Sequence, residues 1–301
     1  MEREWGRLVD AVLHHDLHAL ARLASRVEDR TPGWRQAMRA LIPHTGKARV
    51  IGITGPPGSG KSTLTGHLAA CFSARGWDVA VIAVDPSSVH SGGALLGDRL
   101  RMTGLDCGKV FVRSLASRGA VGGLSQAARD LVRILDAFGK TLILLETVGA
   151  GQDDVDVADV ADVVAVLCVP GLGDHVQAVK SGIMEIGDVF VVNKMDVGGA
   201  DQVAADILQA IRLRKNDGTP VPGLMRTTAS RGLGVTELAD GLIERLHRRE
   251  PERAARRMDC FEKEGRGSGH AGVAGPDTKA SSLRPVARTV RLRRDDPARS
   301  L

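Results

Sequence analysis

The chain has 301 residues, 43% of them hydrophobic, enough for one large or two smaller domains with a buried core. Aromatics make up 3% and Tyr is absent, so that core is built from Val, Leu, Ile and Ala, as in a parallel sheet covered by helices. The net charge of +5 sits in the tail: residues 248–301 hold 14 Lys and Arg against 8 Asp and Glu, while the rest holds 27 basic and 28 acidic groups, which removes the electrostatic case for nucleic acid.

The first 45 residues carry helical patterns. Trp5, Leu8, Val9 and Val12 recur at helix spacing; Asp16 is placed to cap a second helix with Leu17, Leu20, Ala21 and Ala24; Thr31-Pro32 reads as a cap and N1 proline for a third, with Trp34, Ala37, Met38 and Leu41 on one face. A helical extension over residues 1–45 is expected. No apolar run is long enough to span a membrane and Met1–Trp5 does not read as a signal peptide, so a cytoplasmic protein without a membrane partner is expected. Cys71, Cys107, Cys168 and Cys260 lack C-x-x-C spacing, which argues against a disulfide framework or zinc site.

From Arg49 onward, apolar strands alternate with helices. The strands are Val50–Ile53, Val79–Val84 ending at Asp85, Val110–Val112, Leu142–Leu145 ending at Glu146, Val163–Val169, Val189–Val192 ending at Asn193, and a last one around Leu224–Thr228. One intervening helix shows Leu124, Ala128, Leu131, Leu135 and Phe138 on a face and stops at Gly139; another, from Thr236 through Leu246, closes the domain near Arg249. Such alternation predicts a doubly wound, mostly parallel α/β sheet over 46–249, with ligands at the carboxyl ends of its strands. Residues 250–261 read as a residual helix and 262–301, rich in Gly, Ser and Arg, as a disordered basic tail.

The first strand runs into Gly55-Pro56-Pro57-Gly58-Ser59-Gly60-Lys61-Ser62-Thr63, a G-x-x-x-x-G-K-S phosphate loop between strand and helix. Glycines let successive N–H groups face an anion, Lys61 reaches the β- and γ-phosphates, and the Ser62 hydroxyl is a ligand for Mg²⁺. Asn193-Lys194-Met195-Asp196 follows a buried strand; the Asp196 carboxylate can accept two hydrogen bonds from guanine that adenine cannot donate, which selects GTP. Ala229-Ser230, after the last strand, is placed to offer a backbone N–H to the guanine oxygen. Asp85, Asp98 and Glu146 are the carboxylates available to the metal, against the simpler readings of helix cap or surface charge. Glu146-Thr147-Val148-Gly149 reads as a γ-phosphate sensor through the Gly149 N–H. Gln152 is a candidate to orient the attacking water.

These motifs, with Gly52–Thr63, Ala83–Ser88, Gly92–Arg99, Arg113-Ser114, Gly122-Gly123 and Glu146–Gln152, resemble the MeaB/ArgK GTPases from about Leu8 to Arg249. The resemblance implies a SIMIBI-class P-loop fold and slow GTP hydrolysis stimulated by a partner. It further implies a chaperone role: gating adenosylcobalamin delivery to, and protecting, a B12-dependent acyl-CoA mutase, methylmalonyl-CoA mutase above all, with an adenosyltransferase as a further partner. It implies three switch segments, Asp85–Asp98, Glu146–Asp154 and Gly171–Lys180, in which Lys180 either stabilises developing phosphate charge or is an exposed helix lysine. Members of the family continue into a helical arm that makes a homodimer, where this chain has its Gly/Ser/Arg-rich tail, so dimerisation is not expected to follow the family. The alternatives are a GTPase metallochaperone of the hydrogenase or urease maturation type, which needs a Cys/His metal pair near its switches, a kinase acting on a transport protein, and a nucleotide-gated binding module with negligible turnover.

Overall fold

The computed structural model describes residues 2–85, 110–116, 123–149, 153–171, 183–213 and 221–250. Its strands are β1 (Arg49–Thr54), β2 (Val79–Asp85), β3 (Phe111–Ala116), β4 (Leu142–Glu146), β5 (Val163–Cys168), β6 (Val189–Val192) and β7 (Gly223–Arg226). They form one sheet in the order β3-β2-β4-β1-β5-β6-β7, every pair parallel. The expected doubly wound sheet is present, and β1 lies at its centre. β3 runs four residues beyond the apolar run that announced it, from Arg113 to Ala116, because β2 pairs with it along its whole length, from Ala80–Phe111 to Asp85–Ala116.

Successive strand residues point to opposite faces, and each face has its own helical cover. Ile51, Ile53, Val81, Leu144, Val163 and Val191 pack with Leu64, Leu68 and Phe72 of α4 (Lys61–Ala74), together with Leu238 and Leu242 of a C-terminal helix, Val235–Arg248. Val50, Ala80, Ile82, Ile143, Val164 and Phe190 face the other way, into a core shared with α5 (Gly123–Ala137), with Ala200–Leu213, and with the three N-terminal helices α1 (Glu2–Leu13), α2 (Leu17–Glu28) and α3 (Trp34–Leu41). In chain order the remaining helices are α6 (Asp153–Asp156), α7 (Ile183–Ile186), α8 (Ala200–Leu213) and α9 (Val235–Arg248).

The N-terminal helices form on the expected residues with two differences. Asp16 caps α2, its Oδ1 accepting from the His18 and Ala19 N–H groups at 2.8 and 3.0 Å. The buried stripe of α2 is Ala19, Leu20, Leu23, Ala24 and Val27, leaving two of the expected face residues, Leu17 at 56% and Ala21, exposed. Thr31-Pro32 does not cap α3: the Pro32 carbonyl is taken by the Trp5 indole N–H at 2.9 Å, and Gly33, at φ +94°, precedes the helix instead. Two ion pairs fasten this layer, Arg113 to Glu28 at 2.8 Å and Arg30 to Asp130 at 2.6 Å, the latter carboxylate being buried.

At the amino ends of the strands, aspartates accept the first N–H groups. Asp136 of α5 takes those of Gly46, Lys47 and Ala48, Asp162 takes Val50 at 2.8 Å, and Asp188 takes Val164 at 2.8 Å. Arg249, just past α9, ties two of these points together, donating to Asp188 Oδ1 at 2.5 Å and to the Asp162 carbonyl at 3.2 Å. No described helix is long and apolar enough to cross a membrane. The segments 251–261 and 262–301, expected as residual helix and tail, lie outside the described residues.

Candidate nucleotide site

β1 lies between β4 and β5, where the crossovers leave to opposite sides, and in a parallel sheet this is where the carboxyl end opens a crevice. Thr54 ends the strand and Gly55–Gly60 loops into α4. Gly60 stands at the N-cap with φ +92° and no side chain caps the helix, so the first N–H groups of α4 are available to an anion. A Cβ on Gly60 would meet Asn193 Nδ2 at 2.6 Å, which leaves glycine as the residue that fits.

Lys61, only 7% exposed, donates from Nζ to the carbonyls of Gly55 at 2.9 Å and Pro56 at 3.1 Å. The ammonium is thus held within its own loop. Next to it, the Ser62 hydroxyl donates to Oε1 of the buried Glu146 at 2.5 Å. Ser62 comes from α4 and Glu146 from the end of β4, so two elements far apart in sequence bring a hydroxyl and a carboxylate together. That pair of hard oxygen donors fits Mg²⁺, which takes few protein ligands and keeps waters and phosphate oxygens for the rest. Beyond Glu146 the chain turns at Gly149, φ +86°, where a Cβ would collide with the Gly55 carbonyl and Lys61 Nζ. Gly149, expected as the sensor glycine, therefore lies directly against the phosphate-loop lysine.

On the other side of β1, Asn193 follows β6 and is 2% exposed. Its Nδ2 donates to the Ser59 carbonyl at 2.8 Å, and its Oδ1 accepts from the Thr227 hydroxyl and the Ala229 N–H, each at 3.0 Å. Asn193 is a tether between the phosphate loop and the turn after β7. Lys194, exposed, adopts φ +60°, a conformation that a non-glycine residue keeps only where surroundings enforce it. Here Met195 N–H bonds the Thr227 carbonyl at 3.2 Å and Val197 N–H bonds the Lys194 carbonyl at 2.9 Å. Asp196 is exposed on that turn, Thr63 on the first turn of α4, and Ser230 beside Ala229. Since the Ala229 N–H is occupied by Asn193, Ser230 is the member of that pair whose N–H is the candidate for a base oxygen.

Asp85 ends β2, opposite Ala116, at the same edge of the sheet. Asp98, Gln152 and Lys180 lie outside the described residues, as do most of the three expected switch segments. Thr54 and Thr147, which sequence reasoning placed within motifs without a role of their own, join their buried hydroxyls at 2.9 Å; a threonine at the end of one apolar strand and another just past the end of its neighbour was the signal. Burial pushes the Cys168 thiol, at the end of β5, up to about 12, so it contributes no thiolate to this edge at neutral pH.

A parallel α/β sheet with this strand–loop–helix and a guanine-type N-K-x-D turn on its carboxyl edge defines a P-loop GTPase. The family model described as methylmalonyl Co-A mutase-associated GTPase MeaB matches residues 20–263, and the chain belongs to that family. A protein of Pyrococcus abyssi named as a GTPase is 44% identical over 254 residues, covering 83% of this chain and 78% of its own. The mouse mitochondrial methylmalonic aciduria type A homolog is 36% identical over 202 residues, covering 65% of this chain and 49% of its own. Among solved structures, one titled as a LAO/AO transport system kinase superposes with a TM-score of 0.67 at 25% identity, covering 89% of this chain and 86% of its own. The resemblance drawn from the motifs is thereby borne out, and the chain is a GTP-hydrolysing enzyme.

Proposed function

We propose that this GTPase gates adenosylcobalamin delivery to, and protects, a B12-dependent acyl-CoA mutase, methylmalonyl-CoA mutase in the first place. The observation that carries this is the family match over 20–263, whose description names association with that mutase; the name of the mouse relative supports the same metabolic setting. The metallochaperone alternative has no comparable support, because family membership favours the mutase.

In this reading Lys61 Nζ leaves the Gly55 and Pro56 carbonyls for the β- and γ-phosphate oxygens, and the loop and α4 N–H groups surround the same charge. Ser62 and Glu146 would hold magnesium, with Asp85 and Asp98 as further candidates. Magnesium bound there neutralises charge on the β,γ-oxygens. Asp196 reads the guanine N1–H and 2-amino group, Ser230 N–H meets the guanine oxygen, and Asn193 holds both turns to the phosphate loop. Gln152 orients the attacking water and Lys180 stabilises charge on the transferred group. With no general base among the described residues at the loop, turnover is slow until a partner completes the site.

The test is GTP turnover by the full chain with and without purified methylmalonyl-CoA mutase and adenosylcobalamin. The mutase is expected to raise kcat by at least about tenfold, and an unchanged rate contradicts the proposal. Lys61→Ala should abolish turnover, and Asp196→Asn should shift preference from GTP toward xanthosine triphosphate. Retained GTP selectivity in the second variant would refute the assignment of the base pocket.

A further inference from the structure

Glu146 and Thr147 leave the end of β4 toward opposite faces of the sheet, as consecutive strand residues do. Glu146 turns to α4 and meets Ser62. Thr147 turns the other way, and its hydroxyl donates to Thr54 Oγ1 at 2.9 Å. The Thr147 N–H also donates to the Ile53 carbonyl at 3.0 Å, extending the β1–β4 ladder one residue past the Ile53–Glu146 pair. Both hydroxyls are sealed from solvent, Thr54 at 0% and Thr147 at 2% exposure, so no water can replace either partner. Two residues later Gly149 presses against the Gly55 carbonyl and Lys61 Nζ.

A run of four residues therefore carries a carboxylate on the metal side at one end and a glycine against the lysine at the other. Between them is a buried, directional bond to the strand that carries the phosphate loop. Valine would fill the same volume as threonine, but without the hydroxyl it would not fix the rotation of the strand end. We propose that Thr147, acting through Thr54, is the positioning residue that holds Glu146 against Ser62, and the pivot from which Gly149 reaches the γ-phosphate. The proposal rests on the reading of Gly55–Ser62 and Glu146 as the GTP and magnesium site.

The experiment compares the full chain with Thr147→Val, Thr147→Ser and Thr54→Val. In Thr147→Val, kcat for GTP should fall by about tenfold and the magnesium concentration for half-maximal rate should rise several-fold, because a small misplacement of a positioned group is costly. GDP affinity measured in excess EDTA should stay within about twofold, since phosphate-loop contacts are untouched. In the nucleotide-free chain, amide hydrogen exchange at Gly149 should quicken by about fivefold or more as the pivot loosens. Thr147→Ser should recover most of each property, Thr54→Val should reproduce Thr147→Val, and the double valine variant should be no worse than either single one. An unaltered magnesium dependence in Thr147→Val, a Thr147→Ser as impaired as Thr147→Val, or GDP affinity falling in step with turnover each overturns the proposal. If Thr147→Val does not fold, Thr54→Val carries the same readouts. Failure of the unmodified chain to bind GTP is a separate result and overturns the functional reading on which the proposal rests.

Discussion

Single side chains at the phosphate loop show how far residue type alone announces a role. Lys61, Ser62, Glu146 and Asn193 were legible because a polar residue at the end of an apolar strand, or after a glycine-rich turn, has few reasons to be there. The distribution of labour among them was not. Asn193, half of the guanine motif by sequence, spends its side chain on Ser59, Thr227 and Ala229, three partners that only the sheet order brings together. Ser59 is a further case: its hydroxyl is buried at 0% exposure and has no hydrogen-bond partner among the described residues. A buried hydroxyl left in that condition costs roughly 1–3 kcal/mol. Ser59→Ala should therefore stabilise the nucleotide-free protein by about 1 kcal/mol in urea denaturation, the lower end of that range. A destabilised Ser59→Ala would mean that the hydroxyl has a partner, such as an ordered water.

At the scale of elements, periodicity and caps carried the reading, and tertiary contacts overrode it where it failed. The helices over 1–45 follow their apolar stripes, yet α3 starts past Thr31-Pro32 because Trp5, an interval of 27 residues away, claims the Pro32 carbonyl. β3 was read short because Arg113 interrupts its apolar run, and no local pattern could announce that Glu28 of α2 neutralises that charge. The Asp16 cap was legible and sets a pH dependence. The Ala19 N–H above all, with a lesser contribution from the His18 N–H, holds its carboxyl below the usual range against the opposing effect of burial. With the folded value depressed, the unfolded chain binds the proton more readily, so the contribution is complete above the unfolded value and fades as pH falls through the folded one. Asp16→Ala should lower the thermal midpoint at pH 7, and its difference from the unaltered chain should narrow as pH falls through the depressed folded value and the cap loses its charge. A gap that is the same at both pH values contradicts this account of the cap.

For the molecule as a whole, two edges of one sheet have different duties. At the carboxyl edge the loops and turns bring Lys61, Glu146, Gly149 and Asn193 around the end of β1. At the amino edge Asp136, Asp162 and Asp188 answer the first N–H groups of the chain entering β1 and β5, and Arg249 braces two of those points from the end of α9. Asp188 is 9% and Arg249 30% exposed in their side chains, so the pair is mostly out of water. Removing the arginine takes the paired cation from a mostly buried carboxylate that keeps its Val164 N–H, a loss of about 3–5 kcal/mol in a fully buried site and roughly 2–3 kcal/mol here, given the exposure of the guanidinium. Arg249→Ala should show that loss in urea denaturation while GTP affinity changes by less than about twofold, the two edges being separated by the length of the strands. A large drop in affinity would contradict the independence of the edges. The aspartate staples have a further consequence for how such a chain can diversify. Insertions and substitutions in the loops at one edge never touch the polar contacts that set strand order and register at the other, so new partners can be acquired on the nucleotide side without renegotiating the architecture that presents it.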